Sequence, residues 1–471
     1  MQTECTARQL EFQGCGRRQV VGRFDGGSLS SDGGGLLLRE ADRQARILDR
    51  FAECFVDYRR PELIEHRVLE LVSQRVYGLA LGYEDLNDHD ELRWDPLMGL
   101  LAGKRDPQGL DRVRERDRGK SLAGKSTLNR LELTPAKTGP EARYKKIAAR
   151  AEVIDELLVT LFIEAHERSP RRIVLDVDAT DDPLYGKQEG RFFHGYYRHY
   201  CYLPLYVFCG DHLLCARLRP SNIDASAGTK EELERIIGQI RAQWPEVQIV
   251  VRGDSGFCRE ELMSWCEAQG VDYVLGIAKN KRLKASIAEE LAAAEALHEE
   301  TGQAARVFKD FRYRTRKSWS RERRVVGKAE HLSQGANPRF VVTSLAPEEL
   351  DARELYEDLY CARGDMENRI KEQQLALFAD RTSTATMRAN QLRLYFSSIA
   401  YVLLHTLRRL GLAGTELAKA QCDTIRLKLL KIGAQIRITT RKVWISLSQS
   451  YPYHELFCQI YARLRAQPLR C

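Results

Sequence analysis

Hydrophobic positions fall into successive regimes along the chain. Between residues 36 and 150 they recur mostly at helical spacing: Ile64, Val68, Leu71, Val72 and Leu79 mark one such face, and Pro61 stands where a helix can begin. From Arg172 the period shortens. Arg172–Thr180 is a β-branched run of strand length, and Cys201–Gly210 and His212–Pro220 read as two more strands. Thr229–Gln243 is then predicted as a helix, Val247–Asp254 as a strand, Phe257–Gly270 as a helix and Val271–Lys279 as a strand. Strands followed by alternating strand and helix indicate an α/β core with a mixed sheet.

After residue 280 the alternation stops. Lys284–Glu300 reads as a helix and 304–345 as a group of strands; helix returns over Glu354–Phe378 and Asn390–Gly411, and a basic strand pair is expected within Ile425–Leu447. These regimes divide the chain into a mostly helical N-terminal region (1–165), the first part of an α/β core (166–280), a β-rich basic insertion (281–345), the second part of the core (346–415) and a basic C-terminal region (416–471).

Composition narrows the class. The 471 residues are 43% hydrophobic and 30% charged, which excludes disorder, a collagen-like chain and a small disulfide-stapled scaffold. No apolar run is long enough to span a bilayer, and the opening MQTECTARQLEFQG lacks a basic segment followed by an apolar one, so a cytoplasmic protein without a membrane partner is expected. Its 12 cysteines are scattered, with no C-x2-C pair, and read as free thiols. Lys and Arg number 74 against 66 Asp and Glu, an excess of +8 that is compatible with nucleic acid. Residues 306–328 alone hold ten Lys and Arg against two acids, equal to the excess of the whole chain. There Arg312, Arg314 and Arg316 alternate with Phe311 and Tyr313, the pattern of a strand with one basic and one apolar face. Trp319 is expected at the tip of this ribbon, placed to stack on an unpaired base; the plainer reading is a surface hairpin. Residues 426–442 carry six cations and no acid, a second candidate phosphate-contacting surface.

Two motifs are set aside. Gly119–Ser126 fits G-x4-G-K-[ST], but the preceding RVRERDR cannot be the buried strand that a phosphate-cradling loop needs. No nucleotide is expected there, and Lys125 is read as a contact to DNA phosphate at a helix start. Asn87-Asp88-His89-Asp90 resembles a metal-ligand cluster, although Asn and Asp are equally ordinary cap and turn residues.

The acids carry more. In the strand around Ile173, Val174, Asp176 and Asp178 share one face and Leu175 and Val177 the other. Carboxylates on a strand that otherwise reads as core need compensation, which divalent cations would supply. Asp254 ends the strand Ile249–Gly253, at the position where α/β sheets place their sites. On a helix, Tyr360, Arg363, Glu367, Lys371 and Gln374 fall on one side; this is either a solvated salt-bridge stripe or a site. Two Asp and a Glu on separate elements can hold two divalent ions for in-line attack on phosphorus, and oxygen-only ligands favour Mg2+ or Mn2+.

With DAT at Asp178, RGDSGF at Asp254 and YCARGDMENRIKE at Glu367, the chain resembles the DDE transposases of bacterial insertion sequences with the Y-x2-R-x3-E signature, transposase DDE domain group 1, from FDGGSLSSDGG near Phe24 to SYPYHELF near Tyr451. The resemblance implies an RNase-H-like fold in which Asp178, Asp254 and Glu367 are catalytic metal ligands, with Asp176 the alternative to Asp178, and in which Tyr360 and Arg363 contact DNA phosphates. Relatives carry Lys seven residues after the Glu; here that position is Gln374, and Lys371 is the candidate substitute. The implied activity is cut-and-paste transposition with two Mg2+ ions, on double-stranded DNA comprising terminal inverted repeats and target, by a homodimer in the DNA complex that is nucleoid-associated when acting. A structure-specific RNase-H-like nuclease would not need so large an N-terminal region. A non-catalytic DNA-binding regulator would tolerate loss of an acid, and all three are present.

Overall fold

The structure is a computed structural model that describes residues 9–467. The chain divides into two compact units, one formed by residues 1–148 together with 399–471 and the other by 149–398.

The second unit is built on a nine-stranded mixed sheet. Its strands are β1 (Arg172–Ala179), β2 (Leu205–Cys209), β3 (His212–Arg217), β4 (Gln248–Gly253), β5 (Asp272–Ile277), β6 (Ala305–Tyr313), β7 (Arg323–Leu332) and β8 (Arg339–Thr343), in the order β3-β2-β1-β4-β5-β8-β7-β6, with the short Gly335–Ala336 paired to β7. β1, β2 and β3 are antiparallel, whereas β4 and β5 run parallel to β1. This is the strand order and direction of an RNase-H-like core, as the resemblance implies.

Strand periodicity sorts the core into two layers. Leu175 and Val177 of β1 join Ile249 and Val251 of β4 on one face, beneath Leu233, Ile236 and Ile240 of α1 (Thr229–Gln243) and Leu262 and Met263 of α2 (Glu260–Ala268). Val250, Val274, Val326 and Val341 form the other face and are covered by Leu345, Leu355 and Tyr356. Val174 packs on this second face, so the alternation read in β1 holds.

The β-rich stretch expected between Asp254 and Glu367 is present as β6, β7 and β8. β8 pairs antiparallel with β5, and β7 and β6 follow it, so these strands extend the core sheet. Trp319 is the clearest correction. It is 5% exposed, belongs to the core cluster and sets its ring edge-on to Tyr313 at 5.8 Å, so it offers no free face to a base. The loop folds inward because Thr315 Oγ1 accepts from the Trp319 amide at 2.8 Å and Arg314 Nε donates to the Trp319 carbonyl at 3.1 Å. Only Arg312 of the three arginines lies in β6; Arg314 and Arg316 lie in the loop beyond it.

In the first unit, helices Gly35–Ala45, Ile47–Glu53 and Val68–Leu81 form; Val68, Leu71, Val72 and Leu79 lie on the last of these, whereas Pro61 starts only a 3₁₀ turn (Pro61–Leu63) and Ile64 lies outside the helix. The expected C-terminal strand pair is present as Ala434–Ile438 and Val443–Leu447, and Ser28–Ser30 adds a third strand, so this segment shares its unit with N-terminal residues. No helix among the described residues is long and apolar enough to cross a membrane. No disulfide links the ten cysteines among the described residues, and Cys5 and Cys471 lie outside them.

Candidate active site

The acids on β1 and β4 emerge side by side. The two strands are parallel neighbours in a register that sets Gly253 opposite Val177, so Asp178 and Asp254 leave adjacent carboxyl ends of the sheet. Asp254 closes a tight turn, accepting from the Gly256 amide at 2.8 Å. A Cβ at residue 256 would come within 2.9 Å of that same carboxylate oxygen, which is why glycine stands there.

The third acid arrives on an irregular helix. The segment expected as one continuous α-helix is a π turn (Leu355–Tyr360), a 3₁₀ turn (Cys361–Arg363), an α segment (Gly364–Lys371) and a second π turn (Glu372–Ala376). Such phase changes within helices recur at functional sites. Arg363 joins two elements here: Nη2 lies 2.7 Å from Glu367 Oε1 and Nη1 3.6 Å from Asp178 Oδ2. Burial pushes the Asp178 carboxyl up to about 7; Arg363 opposes this, and the negative charges of Asp254 and Glu367 add to it. Three carboxylates on separate elements therefore share one electrostatic environment. Tyr360 lies against β5 beside Asp254. A Cβ on Gly276 would come within 2.5 Å of the Tyr360 hydroxyl and 3.1 Å of the Ser255 nitrogen, so the glycine supplies the space the ring end needs.

Asp176, the alternative first ligand, is already compensated. Arg252 Nε and Nη2 donate to its two oxygens at 2.5 and 2.7 Å, both side chains are buried, and Arg252 also donates to the Leu359 carbonyl. Burial raises the Asp176 pKa while Arg252 opposes the rise. Arg252 went unread in the sequence. Its signal was a cation inside the apolar run Ile249–Val251, in a strand that pairs it with Asp176.

The remaining candidates are dispersed. Lys371 is exposed on its helix, and Gln374 donates to the Asp181 carbonyl at 2.9 Å, a bond within the fold. Lys125 begins a helix in the first unit that no strand feeds; its ammonium lies 3.3 Å from Asp90 and 3.2 Å from the Asn87 side-chain oxygen. His89 of the neighbouring Asn-Asp-His-Asp run is fully buried against Gln74, and Asp90 and Asp88 accept backbone amides, so that run caps and supports local structure. The cations of 306–328 are largely spent internally. Arg306 pairs with Glu330, Lys309 with Glu290, Arg321 and Arg323 with Glu267, Arg324 with Asp310 and Lys328 with Glu330. Arg312, Arg314 and Arg316 stay exposed. In the C-terminal stretch, Arg426 caps the helix Val68–Leu81 through the Ala80 and Leu79 carbonyls and Lys431 pairs with Asp32, whereas Arg437, Arg441 and Lys442 are exposed.

Among the described residues no three His, Cys, Asp or Glu side chains converge as a ready-made metal site. The donor set of Asp178, Asp254 and Glu367 is nevertheless all carboxylate oxygen, which suits a hard divalent cation, and the charge compensation that such an ion would bring is here given by Arg363.

A mixed sheet of this order is that of an RNase-H-like core. The family model for transposase DDE domain group 1 matches residues 12–469, and the chain belongs to that family. As a member it is a DNA transposase. A solved structure described as the cryo-EM structure of the piggyBac transposase synaptic complex with hairpin DNA is similar at 12% identity, covering 94% of this chain and 83% of that one with a TM-score of 0.41. No curated protein matches the chain.

Proposed function

We propose that this transposase binds the ends of an insertion sequence, cleaves them and joins them to target DNA in a cut-and-paste reaction, with Asp178, Asp254 and Glu367 as its catalytic acids. The observation that carries the reading is that Arg363 ion-pairs with Asp178 of β1 and Glu367 of a separate helix, while Asp178 and Asp254 leave adjacent ends of the parallel strands β1 and β4. The same three residues would hold two Mg2+ or Mn2+ ions, which when bound activate a water or 3′-hydroxyl and stabilise the leaving oxygen. Arg363, released from the carboxylates it now neutralises, and Tyr360 would bind the phosphates flanking the cleaved bond. Asp176 stays with Arg252 and orients β1 against β4. Exposed Lys371, Lys125, Arg312, Arg314 and Arg316 give contacts to the DNA backbone. Two ends must be joined, so the working assembly is at least a homodimer on DNA.

Cleavage of end DNA in Mg2+ tests this. Asp178→Asn, Asp254→Asn and Glu367→Gln should each abolish cleavage and leave binding of the ends within a few-fold. Wild-type cleavage by Asp254→Asn would remove the mechanism; activity in Asp178→Asn with loss in Asp176→Asn would move the first ligand.

A further inference from the structure

Directly after the Asp178 strand the chain makes a small three-stranded sheet of Asp182–Pro183, His199–Tyr202 and Phe192–His194. Its outer surface is unusually aromatic. Tyr185 is 95% exposed, Tyr196 84%, Phe193 57%, Tyr200 44% and Phe192 41%. Phe193 and Tyr200 share one face of this sheet and Phe192 lies on the other, opposite Cys201; exposed apolar side chains gathered in one segment mark an interaction site. Phe193 and Tyr200 are a directly opposed cross-strand pair with ring centroids 5.6 Å apart, and the Arg191 guanidinium lies over Tyr200 at 3.7 Å.

The sheet is fastened to the segment that leaves the candidate active site. Tyr197 Oη reaches the Ala179 carbonyl at 3.5 Å, one residue from Asp178, and His199 Nε2 lies 2.7 Å from Asp181. Within residues 185–200, Lys187, Arg191 and Arg198 face one acid, Glu189, whose carboxylate is engaged by the Met387 amide at 3.0 Å. The surface is thus aromatic and cationic together. That pairing suits bases, which stack on rings, joined by phosphates, which need cations. A duplex keeps its base faces stacked inside; only an unpaired strand presents them.

We infer that this aromatic sheet is a binding platform for unpaired DNA, holding bases displaced from the duplex beside Asp178. The inference rests on the proposed transposase reading and assigns that site a single-stranded segment of its substrate. It is read by binding alone, so it can fail or stand independently of cleavage.

The test uses the full chain with a fluorescent single-stranded oligonucleotide of about 20 nucleotides and the matching blunt duplex. Phe193→Ala/Tyr196→Ala/Tyr200→Ala should weaken single-strand binding by about tenfold or more, the scale of losing one or two base–aromatic stacks, with duplex affinity changed less than twofold. The aromatic-preserving Phe193→Tyr/Tyr196→Phe/Tyr200→Phe should restore it, and a 2-aminopurine in the oligonucleotide should be quenched by wild type and not by the alanine variant. Unchanged single-strand affinity in the alanine variant, with its melting temperature intact, overturns the inference. So does a change only in sedimentation, which would make the patch a contact between copies. If the alanine variant melts early, the aromatic-preserving variant and the 2-aminopurine signal decide: lack of quenching by that variant also overturns it. Should quenching hold while wild type cleaves nothing, the platform stands and the cleavage reading falls.

Discussion

Arg252 and Asp176 form a buried, doubly bonded pair within the strand register that places the catalytic acids. Removing one partner leaves an uncompensated charge, whereas replacing both with apolar side chains does not. Arg252→Ala should therefore cost about 3–5 kcal/mol, and Asp176→Leu/Arg252→Met should recover most of it; urea midpoints of the two variants check this. A buried histidine sets a pH dependence. His66 in the first unit is buried, with Arg112 Nη1 2.7 Å from Nε2 and Lys104 Nζ 3.3 Å from Nδ1. Burial, reinforced by these cations, lowers its pKa to about 2. The folded ring therefore stays neutral where the unfolded one takes up a proton, so its contribution to stability is full above an unfolded pKa of about 6.5 and falls as pH drops below it. Between pH 7 and 5 the loss is about 2 kcal/mol. Denaturation at both values should show this loss, and a His66→Gln protein should have a shallower pH slope by that amount.

At the scale of elements, a strand-rich stretch between the second Asp and the Glu has two architectures open to it, a separate insertion or an extension of the sheet. β8, β7 and β6 take the second, which makes their connecting loop part of the core. Trp319→Ala should accordingly lose about 3–5 kcal/mol, the range for truncating a large buried ring, while Trp319→Phe retains most of the stability; thermal melts of both variants are the check. The Glu367 helix makes a related point. Tyr360, Arg363 and Glu367 face together through a 3₁₀ turn and one α turn, whereas the second π turn sends Gln374 to the Asp181 carbonyl.

Over the whole molecule, cationic charge matters only where the fold leaves it unpaired. Replacing exposed Arg312 and Arg316 with Gln should lower the slope of log K against log [salt] for duplex DNA by about 0.9 each, about 1.8 together. Lys309→Gln, which loses only its partner Glu290, should leave that slope unchanged. Binding titrations over a range of salt concentrations separate the two cases. Arg314 is a poor choice for this test because its guanidinium also holds the Trp319 loop.

What the sequence determined by itself was whatever depends on near neighbours. Period-two alternation placed Leu175 and Val177 in one layer and Val174 in the other, and the helical face around Val68–Leu81 formed as spaced. The lack of a feeding strand before Lys125 was legible for the same reason: a phosphate loop is a local device. Tertiary structure decided which charges meet. Arg323 is neutralised by Glu260 and Glu267, Arg252 by Asp176, and Lys431 by Asp32, partners dozens to hundreds of residues away that no local pattern can specify. It also decided that Trp319 turns inward, and that the aromatic run at 192–200 stays outside. Ring residues favour burial everywhere, and only the packing of distant elements settles which of them are covered.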